Sequence, residues 1–248
     1  MSIDWTLLAA PFVAGLLVLA THVPLGIEVL RRGIIFIDLA IAQVAALGVI
    51  AAGLAGGESG WAVQGAAAVA ALVGAVLLTW TERRWPDIQE ALIGLLFVTA
   101  AAAGILLLAN NPHGGEHLRD LLAGQILWVG WAQLGPLALL TAALLATRAM
   151  LGKRLGNLGF YGVFALAVTA TVQLVGVLLV FASLIAPAVA LRQWRRGRLL
   201  ASWLLGALGY GGGLVLSALV DVPAGAAVVC SLALATAAAL AVQGVGRG

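Results

Sequence analysis

Charge is what this chain has least of. Only 9% of its 248 residues are Asp, Glu, Lys or Arg, against about 25% in an ordinary soluble domain. So few charges cannot cover a water-facing surface, which excludes a soluble globular protein. Ten-residue segments of alternating polarity are missing as well, which excludes a transmembrane barrel. A continuous basic face is also missing. The net charge of +3 is spread over short loops, and this excludes a nucleic-acid binder. Cysteine occurs once, at Cys230. It can form no internal disulfide, and its place in an apolar run predicts a small buried hydrophobe. The N-terminal MSIDW has neither a basic n-region nor the usual cleavage site, so the first helix is expected to be retained. No repeat, low-complexity tail or soluble domain is visible. Residues 1–248 read as one transmembrane domain, with no stretch of their own for an ATPase.

What fills the chain is apolar: 63% of it is hydrophobic. Several runs reach the ~20 residues needed to cross a ~30 Å hydrocarbon core. The pattern predicts an all-α polytopic bundle of about 7–9 transmembrane helices, some short or broken. Crossings are expected at about 5–24, 34–55, 61–80, 88–109 and 121–147, then 159–191, 200–219 and 224–243. Gly and Ala recur in nearly every run, and small residues let helix backbones approach closely in lipid.

The basic residues report orientation. Arg31 and Arg32, Arg83 and Arg84, Arg148 to Arg154, and Arg192 to Arg198 occupy alternate connections. The connections between them are neutral or acidic. The positive-inside rule then places the N-terminus outside and the C-terminus inside. That parity holds only if 159–191 crosses an even number of times. Its 33 residues are short for two full helices. Two short crossings around Gly176 and a re-entrant hairpin both satisfy the count. The Gly176 and Pro187 in this run point to a helix that bends or breaks. The 121–132 stretch mixes Gly, Gln and Trp and predicts a short or irregular helix.

Polar residues inside apolar runs are the candidate functional groups. Asp38 falls just inside the second crossing, at a cost of roughly 2.5–3.5 kcal/mol on insertion scales. It reads either as a cation-pathway carboxylate or as a hydrogen-bonding group between helices. Gln43 is five residues on, about 140° around a regular helix. His113, Glu116 and His117 form an H-x-x-E-H string in the loop 110–120. On a helix that string marks one metalloprotease class. In a Gly-rich loop it reads as a zinc-binding set or as a solvated turn. His22 and Pro24 are expected to end the first helix, with His22 at the interface. Glu28 and Arg32 are spaced to pair. Thr169, Thr171, Gln173 and Ser183 suit either a pathway or interhelical bonds. Trp128 and Trp131 suit a membrane interface.

Four stretches carry a family resemblance. They are RRGIIFIDLAIAQVAALG (31–48), LLAGQIL (121–127), GVLLVFASLIAPAVALRQ (176–193) and LVDVPAGAAVV (219–229). Together they resemble the permease subunit of the zinc, manganese and iron ABC importers, the ABC-3 family. The resemblance implies a type II importer-like fold and no enzymatic activity of the chain's own. It implies a homodimer of permeases in a bacterial inner membrane. It also implies two ATP-binding partner subunits and a periplasmic or lipoprotein metal-binding protein. Asp38 takes the role of the family's pathway aspartate. Gln43 stands where the family has histidine, with a spacing one residue longer. The cargo implied is a divalent transition metal, zinc first, because two imidazoles suit zinc better than an all-oxygen site does. No permanent cofactor is expected. Pro187, Arg192, Arg195 and Arg196 would form the element that couples to the ATPase. An intramembrane zinc protease using His113, Glu116 and His117, and an ATP-independent carrier, are the alternatives.

Overall fold

The computed structural model describes residues 5–56, 60–108, 124–151, 156–194 and 196–245. Among these, nine α-helices form and no strand does. They are α1 (Trp5–Arg32), α2 (Ile37–Leu54), α3 (Gly60–Arg84), α4 (Gln89–Leu108), α5 (Trp131–Leu151), α6 (Gly156–Val175), α7 (Val177–Ala190), α8 (Arg198–Val220) and α9 (Ala224–Val245). All but α7 are long and apolar enough to cross a membrane. The expected all-α bundle is what the chain forms. The 121–132 stretch is irregular where described: a single 3-10 turn, Ile126–Trp128, precedes α5.

The long run 159–191 is two helices meeting at Gly176, whose φ of 84° closes the turn. A left-handed φ is open to glycine at little cost. Thr171 of α6 faces His22 of α1, and Asn157 faces Arg32, so α6 runs antiparallel to α1. One helical turn beyond Thr171 puts Gly176 roughly level with the middle of α1. α7 then descends beside α1 and antiparallel to α8. Ser183 bonds Tyr210, and the Pro187 carbonyl accepts from Ser202. At 14 residues, α7 is about 21 Å long. It is too short to cross the hydrocarbon unaided.

Two expectations are corrected. First, α1 does not stop at His22–Pro24 but continues to Arg32 with Pro11 and Pro24 inside it. Proline is tolerated in a membrane helix when neighbouring donors re-satisfy the backbone. Pro24 leaves the Ala20 carbonyl without its helical donor. In the turn before it, the Trp203 indole donates to the Leu19 carbonyl, and the Thr21 and His22 side chains reach the Val18 carbonyl. His22 is therefore fully buried rather than interfacial. Second, Cys230 is exposed on α9. Val228 and Leu232 of that helix pack on Gly213 and Gly209 of α8. Two residues of helix turn Cys230 about 200° away from Val228.

Small residues set the helix spacing. A Cβ on Gly26 would strike the Leu184 carbonyl oxygen, and one on Gly48 would lie 2.5 Å from the Ala66 carbonyl oxygen. Lipid offers no hydrophobic drive between helices, so such close backbone approach supplies the packing contacts.

Candidate functional site

Asp38 lies in the first turn of α2 and is 1% exposed. Neither of its carboxylate oxygens makes a well-formed hydrogen bond; only the backbone N–H groups of Asp38 and Leu39, in the same first turn, lie close enough to act on it. The turn around it is itself irregular. Phe36 caps α2 without a side-chain bond, and its N–H donates to Glu90 Oε1 at 3.2 Å. A buried, unpaired carboxylate contributes nothing to packing and costs free energy to hold. α2 continues without a break to Leu54, so part-buried Gln43 stays about 140° around the helix from Asp38. The two do not share a face.

His113, Glu116 and His117 lie outside the described residues. Among the described residues, no group of three or more His, Cys, Asp or Glu is placed to hold a metal ion. Thr171 and Ser183 act as interhelical bonds, to His22 at 3.3 Å and to Tyr210 at 2.7 Å. Gln173 accepts from Gln64 at 2.7 Å. Thr169 is buried with its hydroxyl unpaired.

The proposed coupling residues separate. Pro187 is buried inside α7. Arg192 and Arg196 are exposed in the turns between α7 and α8, and Arg195 lies outside the described residues. Gly197, at φ 67°, starts α8, and Arg198 reaches back to the Ala188 carbonyl at 3.0 Å. The arginines thus crowd one exposed corner that is anchored to α7.

Two features were not anticipated. At the same end as those arginines, Arg32 gathers a polar hub. It bonds Glu28 at 2.9 Å and Asn157 at 3.1 Å, approaches Glu82 at 3.7 Å, and lies 4.2 Å over the Phe160 ring. The i,i+4 spacing announced the Glu28 contact, but the partners on α3 and α6 are set by packing. Away from that end, three of the quoted stretches converge. Gly124 packs its bare backbone on Val175 and Gly176. A cleft of about 380 Å³ opens beside it, lined by Gln125, Trp128, Leu178, Asp221 and Pro223 among others. Asp221 is exposed there in a left-handed conformation, φ 56°. The signal was available in the sequence as Gly and Pro clusters, but their meeting was not.

A model of the ABC 3 transport family matches residues 4–160 and 145–243. Among solved structures, PsaBC from Streptococcus pneumoniae in complex with Fab is similar, with a TM-score of 0.76 at 20% identity. The match covers 95% of this chain and 91% of that one. At such identity the likeness speaks to the fold. Curated proteins give no match.

Proposed function

Because the chain belongs to the ABC 3 transport family, we propose that it is the permease subunit of an ATP-driven importer of divalent transition metal ions. It is a multi-pass membrane protein with eight helices able to span a bilayer among its described residues. Zinc is the first cargo, with manganese or iron behind it. Family membership favours this transport reading over a protease built on His113, Glu116 and His117 and over a carrier that works without ATP.

One observation carries the reading: Asp38 is buried, and both of its oxygens are unpaired. A carboxylate is a hard ligand for a divalent cation in passage. Gln43, on another face of the same helix, does not join Asp38 there. His113, Glu116 and His117 would collect metal handed over by a periplasmic or lipoprotein binding partner. A second copy of the chain would complete a homodimeric channel in a bacterial inner membrane. A separate ATP-binding subunit would hydrolyse ATP and push on the corner made by Arg192, Arg195 and Arg196. Buried Pro187 would pass that push along α7.

The test is uptake of zinc, manganese and iron into proteoliposomes holding the chain and its ATPase. ATP-dependent accumulation of at least one metal is expected, with a loss of tenfold or more in Asp38→Ala. No ATP-dependent uptake of any of the three would overturn the function. Undiminished uptake by Asp38→Ala would overturn the site.

A further inference from the structure

The glycine contacts divide the helices into two groups. Gly48, Gly74 and Gly104 bring α2, α3 and α4 together. α6 joins this group through its packing on α3 and the Gln64–Gln173 and Gln89–Tyr161 bonds. Gly15, Gly26, Gly206, Gly209 and Gly213 bring α1, α7, α8 and α9 together, and α5 rests mainly on α1. Among the described residues, no glycine makes such an approach between helices of different groups. The one tight glycine contact that crosses is Gly124 on Val175–Gly176, at a chain crossing.

The seam between the groups is of another kind. Few backbones approach closely across it; apolar side chains of the one continuous core and a few polar bonds span it. His22 meets Thr171 at 3.3 Å, Arg32 holds Asn157 and Glu82, and Phe36 stacks on Phe181 at 6.4 Å. The chain passes between the groups at α1–α2, α4–α5, α5–α6 and α6–α7. Each passage holds a left-handed glycine: Gly33, Gly124, Gly156 and Gly176. Turns within a group use such glycines too, at Gly56 and Gly197. The glycines alone therefore do not mark the seam; the change in packing does.

Close backbone contact is stiff, because a packed interface has no intermediate spacing to relax into. A seam with few close backbone contacts, spanned by side chains and with glycine at its crossings, is where a rigid-body rotation meets least resistance. We propose that the protomer works as two rigid helix bodies, α2–α3–α4–α6 and α1–α5–α7–α8–α9, that pivot on the glycine crossings, with Arg32 as the clasp at the arginine-rich end. The transport role assigned to the hinge rests on the transport reading above; the two-body division does not.

The test uses spin labels on the full chain in lipid nanodiscs, in a Cys230→Ser background. One pair spans the seam, Ile88→Cys with Leu200→Cys, both exposed. A control pair stays within one body, Val76→Cys with Leu95→Cys, also exposed. Arg32→Gln opens the clasp. The expected result is a seam distance distribution at least twofold broader, or a second distance, with the control pair unchanged. Asn157→Ala removes one bond only and serves if Arg32→Gln does not fold; it is expected to act in the same direction. A seam distribution as narrow as the control in the clasp variant overturns the proposal, as does equal broadening of both pairs. No metal or ATP is needed, so a failure of uptake leaves this result standing.

Discussion

Replacing Asp38 with asparagine should make the protein more stable and less able to transport. The side chain is 1% exposed, and its two oxygens make no well-formed hydrogen bond, with only the N–H groups of Asp38 and Leu39 nearby. A buried polar group without a partner costs about 1–3 kcal/mol, and an ionised one at depth roughly 2.5–3.5 kcal/mol. Asparagine keeps the shape and removes the formal charge, though it leaves an amide to be buried. The net gain should be about 1–2 kcal/mol, since part of the penalty remains. That corresponds to roughly a five- to thirtyfold shift in the unfolding equilibrium. The assay is unfolding of the purified protein in mixed micelles, followed by circular dichroism as the SDS fraction rises, beside uptake in proteoliposomes. A later unfolding midpoint together with lost uptake is expected. A midpoint that moves earlier would refute the reasoning, because it would mean that the carboxylate holds the fold together.

Three further outcomes follow from the packing. Gly26→Ala drives a methyl into the Leu184 carbonyl and should lower stability by about 1–3 kcal/mol; Gly65→Ala, with open space around it, should be neutral or gain up to about 1 kcal/mol. Equal unfolding midpoints for the two variants would contradict the close α1–α7 crossing. Tyr210→Phe removes the 2.7 Å bond to Ser183, but Ser183 keeps the Leu179 carbonyl; a loss of only about 0.5–1.5 kcal/mol is expected in the same titration. Arg192→Ala with Arg196→Ala should leave the unfolding midpoint alone, both side chains being exposed, while reducing co-purification of the proposed ATP-binding subunit. Full co-purification would remove that corner as the docking point.

Much of the fold was legible because the bilayer imposes a simple rule. A chain with 9% charge must hide its backbone in helices, and runs of ~20 apolar residues announce them. Charge parity even required the 159–191 run to reverse, and Gly176 is where it does. Legibility failed where a side chain's fate depends on another helix. His22 looked interfacial because Pro24 follows it, yet the helix runs on to Arg32 and His22 is packed against Thr171, 149 residues away in the chain. Cys230 looked buried because its neighbours are apolar, but in lipid an apolar run has no buried side until a partner helix chooses one. For the candidate site, Asp38 stood out in the sequence as a charge at the wrong depth. That no neighbouring helix supplies it a donor is visible only once every neighbour is in place.

The sequence by itself determined the solvent and the class of fold, because hydropathy acts locally along the chain. Only the tertiary structure decided which glycines touch, which carboxylate is left alone and where the seam runs. Those depend on contacts between helices far apart in the chain, and no local pattern encodes them.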